Sequence, residues 1–339
     1  MSFPRIILMG SISIFLLIAG MSIFKDSKKK ASKKAIAEQQ AIEAVEPIVL
    51  IDEEKSTPTI ELSVNKPIVS SDAVKDQLPD ADNIHRLFAT DSSRLPFIET
   101  ITYTSRVPWL KGRPAWIADY ASYYDTTRHF IARSLNKGLD YFTQKVAPGD
   151  KFNVLKKDME LQFQLVIDLS RLKMWFYAYD KTNDEKMLLK TYNVGLGRKD
   201  NLRASGYLTP VGKYTIGNKV AIYKPGIMGY FQDQKIEMIR IFGTRWMPFG
   251  EEVEDCTEPA KGFGLHGAPW SEDTQTKMLV EDTSKISKYD SDGCVRLLQK
   301  DIEEIFSIVI SRPTVVELVD DFFKSTLPGK PVEILRQGK

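Results

Sequence analysis

Residues 162–179, QFQLVIDLSRLKMWFYAY, form two runs rich in β-branched and aromatic residues on either side of a short polar turn at Ser170 and Arg171. That pattern predicts a β-hairpin. Working outward, further strand-like runs follow at MLLKTYNVGLG (187–197), GKYTIGNKV (212–220), IEMIRIFG (236–243) and GFGLHG (262–267), each bounded by Gly, Pro, Asn or Asp. Many short strands with turn signals predict a mainly antiparallel β domain, sandwich-like or barrel-like. One helix comes late. In QKDIEEIFSIVISR (299–312), Ile302, Ile305, Phe306 and Val309 share one face, and acids occupy the first turn, where they suit the helix dipole. Pro313 stops it, and TVVELV (314–319) reads as the closing strand.

Upstream the texture differs. Residues 81–150 read as a small helical region, because Trp116, Ile117, Tyr120, Tyr124, Phe130, Ile131, Leu135, Leu139 and Phe142 recur at nearly helical spacing. Residues 35–80 are rich in Lys, Ala, Glu, Ser and Pro without apolar periodicity and read as a flexible spacer. The run from Ile6 to Phe24 carries no charge and is followed by KDSKKKASKK, so residues 1–34 read as an export signal or membrane anchor with a lysine-rich flank. The flank fits a membrane-adjacent solvated run, although positive residues favour the cytoplasmic side.

The chain has 339 residues, of which 42% are hydrophobic, enough for a substantial core. Its 47 basic and 45 acidic residues nearly cancel, so bulk charge gives no support to a nucleic-acid partner. Two cysteines, Cys256 and Cys294, exclude a disulfide-stapled scaffold and an all-cysteine zinc site.

Cys294 lies in KYDSDGCVRLLQKD (288–301). On residue type alone it is a nucleophile, half of a disulfide with Cys256, or a buried structural thiol. A nucleophilic cysteine needs help to lose its proton. Of the three histidines, His85, His129 and His266, only His266 falls in the β-rich half with Cys294, and it sits beside Gly267 at a strand end. Gly293 permits a sharp turn that can aim successive N–H groups at one oxyanion.

The order GFGLHGAPW … SDGCVRL resembles the YkuD-type L,D-transpeptidases of bacterial cell walls, whose motif pairs His-Gly with a downstream Ser/Thr-His/Arg-Gly-Cys-Val-Arg. The likeness runs from about Leu161 to Asp320 and includes the hairpin, the TPVG turn (209–212) and the closing helix and strand. It implies a catalytic domain over 151–325 with a tail at 326–339. It implies Cys294 as nucleophile, His266 as general base, and the Gly267 carbonyl as the group that orients the imidazole. It further implies an oxyanion hole from the amides of Gly293, Cys294 and Asp292, an Arg296 that holds substrate carboxylate or organises the site, a Ser291 that fixes the loop beside the substrate, and no metal or organic cofactor; apart from the resemblance, Trp246 in GTRWMPF is a candidate to line the donor-stem groove. The implied reaction attacks a tetrapeptide stem of peptidoglycan, releases D-alanine and passes the thioester to an acceptor amine, giving a 3→3 cross-link. The implied setting is the extracytoplasmic face of the inner membrane, with the N-terminal segment as tether.

Two features depart from the pattern. Asp292 stands where the family has His or Arg, and the interval between His266 and Cys294 is longer than usual, its excess polar and acidic like an inserted flap. These departures keep two rivals open: hydrolysis alone, as an L,D-carboxypeptidase or amidase, and a catalytically inactive wall-binding protein. For single residues the plainer readings are an Arg296 ion pair with an acid such as Asp301, a core role for Trp246, a loop thiol at Cys256 and a packed His129.

Overall fold

The hairpin 162–179 is the centre of a mixed ten-stranded sheet. The structure is a computed structural model that describes residues 77–135 and 146–332. The Ile6–Phe24 run, the lysine flank, most of the spacer, Leu139, Phe142 and the last residues of the tail lie outside these. Among the described residues no helix is long and apolar enough to cross a membrane. All of them fall within one compact unit, residues 63–339.

In chain order the strands are β1 (Ile98–Thr102), β2 (Lys151–Leu155), β3 (Leu161–Asp168), β4 (Lys173–Asp180), β5 (Glu185–Asn193), β6 (Leu196–Gly197), β7 (Gly212–Ile216), β8 (Ala221–Ile222) and β9 (Met228–Phe231). They continue with β10 (Gln234–Glu237), β11 (Arg245–Glu254), β12 (Gly264–Gly267), β13 (Trp270–Glu272), β14 (Leu279–Glu281), β15 (Tyr289–Ser291), β16 (Val295–Leu297), β17 (Thr314–Val319) and β18 (Lys330–Pro331). The helices are α1 (His85–Phe88), α2 (Ile117–Tyr123), α3 (Arg128–Ser134), α4 (Ile239–Phe242) and α5 (Gln299–Val309).

The main sheet runs β16-β12-β11-β7-β17-β3-β4-β5-β18, with β8 added on β11. Strands β3 and β4 pair from Leu161↔Asp180 to Asp168↔Lys173, and the Asp168 carboxylate closes their turn by accepting from the Arg171 amide at 3.0 Å and the Ser170 hydroxyl at 2.7 Å. Successive side chains go to opposite faces. Phe163, Leu165, Ile167, Met174 and Phe176 join the main core with Ile302, Ile305, Phe306 and Val309 of α5, while Val166, Trp175 and Tyr177 build a second core with Val319 and Leu327. Both faces are covered, which is why the hairpin reads as nearly continuous apolar sequence.

Antiparallel pairs predominate, as expected, but β3/β17, β12/β16, β6/β15 and β5/β18 are parallel. Residue alternation carries no sign of strand direction, so these were not legible in the sequence. The run IEMIRIFG is not one strand. Its first residues end β10, and the rest winds into α4, which Gly243 terminates at φ +58°. Between 81 and 150, α2 and α3 form at the aromatic-rich pattern, and Thr127 caps α3 by accepting from the Phe130 amide at 3.1 Å. The same region also holds β1, which pairs with β2, so its small core takes in Phe152 and Val154.

Candidate active site

The site grows from one parallel pairing. Strands β12 and β16 align Leu265 with Val295, His266 with Arg296 and Gly267 with Leu297. One register step back, Cys294 stands beside Gly264, two residues from His266 on the neighbouring strand. Residues two apart in a strand face the same way, so Cys294 and His266 share a face across a position that carries no side chain. The Gly264 amide points at the thiol, and Sγ itself donates to the Gly262 carbonyl at 3.5 Å.

The turn before Cys294 is held from three sides. Gly293 has φ +120°, and a Cβ there would lie 2.5 Å from Phe263 Cε1 and 2.8 Å from the Leu208 carbonyl oxygen, so only glycine fits. Ser291 is buried and ties the turn to itself: its hydroxyl donates to the Cys294 carbonyl at 2.7 Å and accepts from the Gly293 amide at 3.1 Å. The Gly293 amide is thus engaged within the turn. The TPVG turn supports the other edge. The buried Thr209 hydroxyl accepts from the Gly197 amide at 2.7 Å, and the next residue's amide, Arg198, donates to the Ser291 carbonyl at 3.0 Å.

His266 is 3% exposed, and its Nδ1 lies 2.7 Å from the Gly267 carbonyl oxygen. A carbonyl can only accept, so Nδ1 carries the proton and Nε2 is left as the acceptor. The ring is walled by Phe242, edge-on at 5.3 Å, and by Trp246, its cross-strand partner in β11, at 6.0 Å. Burial pulls the imidazole down to about 3, the Arg296 charge adds to this, and the Gly267 carbonyl opposes it. Burial likewise pushes the Cys294 thiol up to about 12; the Gly264 amide and Arg296 pull it back, and the Asp292 carboxylate pushes it further. Both groups therefore rest neutral at neutral pH.

Arg296 pairs with Asp290, not Asp301; Asp290 also takes the Lys285 ammonium at 2.9 Å, and Asp301 faces Lys190 at 3.4 Å. Its Nε is buried without a partner. Asp292 is exposed and pairs with Arg198, Nη2 to Oδ1 at 2.6 Å. The polar excess between His266 and Cys294 forms the hairpin β13/β14 and a 3₁₀ turn, and Glu281 at the hairpin's end accepts from the Gln299 amide that opens α5. Cys256 and Cys294 are both free thiols, and Cys256 donates to the Lys213 carbonyl at 3.0 Å. His129 packs edge-on against Phe306 at 5.3 Å.

Three contributors escaped sequence reading. Thr209 was visible only as part of TPVG, Asp290 only as one acid among many, and Arg198 not at all, although it directly follows the strand run that ends at Gly197.

Residues 162–334 match the YkuD family, the L,D-transpeptidase catalytic domain. No curated protein matches the chain. Among solved structures the chain is similar to Bd1075 from Bdellovibrio bacteriovorus, with 15% identity over 47% of this chain and 48% of that one at a TM-score of 0.32. It is also similar to the helical cell shape determining protein Pgp2 from Campylobacter jejuni, with 16% identity over 50% of each chain at a TM-score of 0.30. The chain spans about half the length of these structures.

Proposed function

The chain belongs to the YkuD family of L,D-transpeptidase catalytic domains, and on that premise we propose that it is a cysteine acyltransferase acting on peptidoglycan stem peptides. The observation that carries the reading is the β12/β16 register, with Cys294 and His266 on one face and the imidazole Nε2 free to accept. His266 Nε2 takes the thiol proton as Sγ attacks the carbonyl carbon that joins the third stem residue to terminal D-alanine. The developing oxyanion is met by the Cys294 amide. Collapse breaks the C–N bond, the imidazolium returns its proton to the departing amine, and a thioester remains on Sγ. An amine of a second stem then attacks the thioester, His266 takes a proton from it, and the thiolate leaves and is reprotonated, yielding a 3→3 cross-link.

Neutral resting groups fit a base that acts within the step, not a thiolate formed in advance. In this reading the Ile6–Phe24 run and the spacer are a tether on the extracytoplasmic face of the inner membrane.

The test is a product assay with defined tetrapeptide stems, with and without an acceptor amine, alongside mass spectrometry after carbapenem exposure. Dimer together with a Cys294 adduct is the expected result. Tripeptide without dimer would replace transfer by hydrolysis, and absence of an adduct with no effect of Cys294→Ala would leave a wall-binding protein without activity.

A further inference from the structure

We propose that Arg198 is the receptor for the terminal carboxylate of the donor stem, and that Asp292 occupies this receptor until substrate arrives. The proposal rests on the acyl-transfer reading above. Arg198 is built into the cysteine turn from the neighbouring segment: its amide donates to the Ser291 carbonyl at 3.0 Å and its carbonyl accepts from the Leu208 amide at 2.8 Å. From that fixed backbone the side chain reaches Asp292, two residues before the nucleophile, and meets Oδ1 through Nη2 at 2.6 Å.

The charges around Cys294 divide into two kinds. Arg296 is largely buried and held by Asp290, which Lys285 also contacts, so this cation is committed to the framework. Lys199 leans over the Tyr289 ring at 5.8 Å. Lys199 and Arg198 are both exposed, and Arg198 is the one that meets an acid of the cysteine turn, with 57% of its side chain accessible and its partner Asp292 63% accessible. An ion pair so open to water is weak and readily exchanged. The guanidinium fork matches a carboxylate in two-point geometry, and Asp292 engages it through Nη2 alone.

Substrate chemistry supplies the rest. In the stem, the residue to be released carries a free carboxylate only a few bonds from the carbon that Sγ attacks. That carboxylate must therefore come to rest beside the turn that carries Cys294, where an uncompensated Asp292 would repel it. Exchange resolves the conflict: the stem carboxylate takes over the Arg198 fork, and Asp292 swings into solvent. The acid at position 292 then has a role beside the nucleophile. The cation is supplied from position 198, and the acid keeps it oriented and lowers its affinity for other anions.

The experiment reads binding apart from chemistry. In the full-length Cys294→Ala protein, affinity is measured by calorimetry for a tetrapeptide stem, for the same stem with a terminal carboxamide, and for a stem amidated at its second residue. A preference for the free terminal carboxylate of roughly ten- to a hundredfold is expected, the size of a charge-assisted hydrogen bond. Arg198→Gln should bring the first two affinities together, Arg198→Lys should restore part of the gap, and Asp292→Asn should tighten binding of the carboxylate stem alone. A gap unchanged by Arg198→Gln overturns the proposal, as does a gap that follows amidation of the second residue, or failure of any stem to bind. D-alanine release by the wild-type protein, followed in parallel, reports on the acyl-transfer reading separately.

Discussion

His266 and Trp246 face each other across β12 and β11 with their rings 6.0 Å apart, and Phe242 closes against both, at 5.3 Å from the imidazole and 4.7 Å from the indole. This aromatic wall takes the imidazole out of water and sets its protonation. Trp246 therefore acts on the candidate base whether or not it also touches a stem peptide.

The first prediction concerns ionisation. With the thiol pushed up to about 12 and the imidazole down to about 3, no resting thiolate is present at neutral pH. Alkylation of Cys294 by iodoacetamide should be slow at pH 7 and keep rising beyond pH 10, and kcat/KM should show no acid limb between pH 5 and 7. An alkylation plateau below pH 8, or an acid limb near the ordinary histidine value, would contradict the neutral pair.

A second prediction follows from linkage. His266 is lowered to about 3 and His129 to about 4, both chiefly by burial, whereas in the unfolded chain each titrates near 6.5. Between pH 6.5 and 4 the unfolded state binds more protons, so stability is complete above that window and declines as pH falls through it, by about 1.4 kcal/mol per unit of gap once both states differ fully. Calorimetric Tm should drop steadily from pH 7 to pH 4.5. The slope should lessen in His266→Gln, and a flat profile would refute the buried-neutral assignment.

A third prediction is local. Gly293→Ala places a methyl against the Phe263 ring and the Leu208 carbonyl at φ +120°. The strained backbone alone costs about 1–3 kcal/mol. Chemical denaturation should show a loss of at least that size. Carbapenem labelling of Cys294 should fall even at temperatures where circular dichroism shows the variant folded, because the turn that aims the thiol has moved.

What the sequence made legible and what it hid divide along a physical line. The β3/β4 hairpin, α5 and β17 were readable because their patterning is local: apolar residues at period two or at helical spacing, with Pro313 as a stop. IEMIRIFG misled because a short apolar run fits one helical turn as well as a strand. Cys294 and His266 could be proposed from their motifs, yet their common face depends on a parallel register that no local pattern encodes. Arg198 and Asp292 are 94 positions apart, and nothing about a lone arginine after Gly197 announces its partner.

The last prediction tests how TPVG acts at a distance. Thr209 is fully buried, and its hydroxyl accepts from the Gly197 amide at 2.7 Å; Gly197 pairs with Ser291, and Ser291 holds both Gly293 and the Cys294 carbonyl. The chain of contacts runs from the motif's threonine to the turn that carries the thiol. Thr209→Val keeps the volume but leaves a buried N–H without an acceptor, which costs about 1–3 kcal/mol. Thr209→Ser keeps the acceptor and loses one methyl. If the hydroxyl fixes the turn, the valine variant should lose both stability and the rate of Cys294 acylation, while the serine variant recovers most of the rate despite a small cavity. Equal acylation rates in the two variants would show instead that Thr209 only fills space.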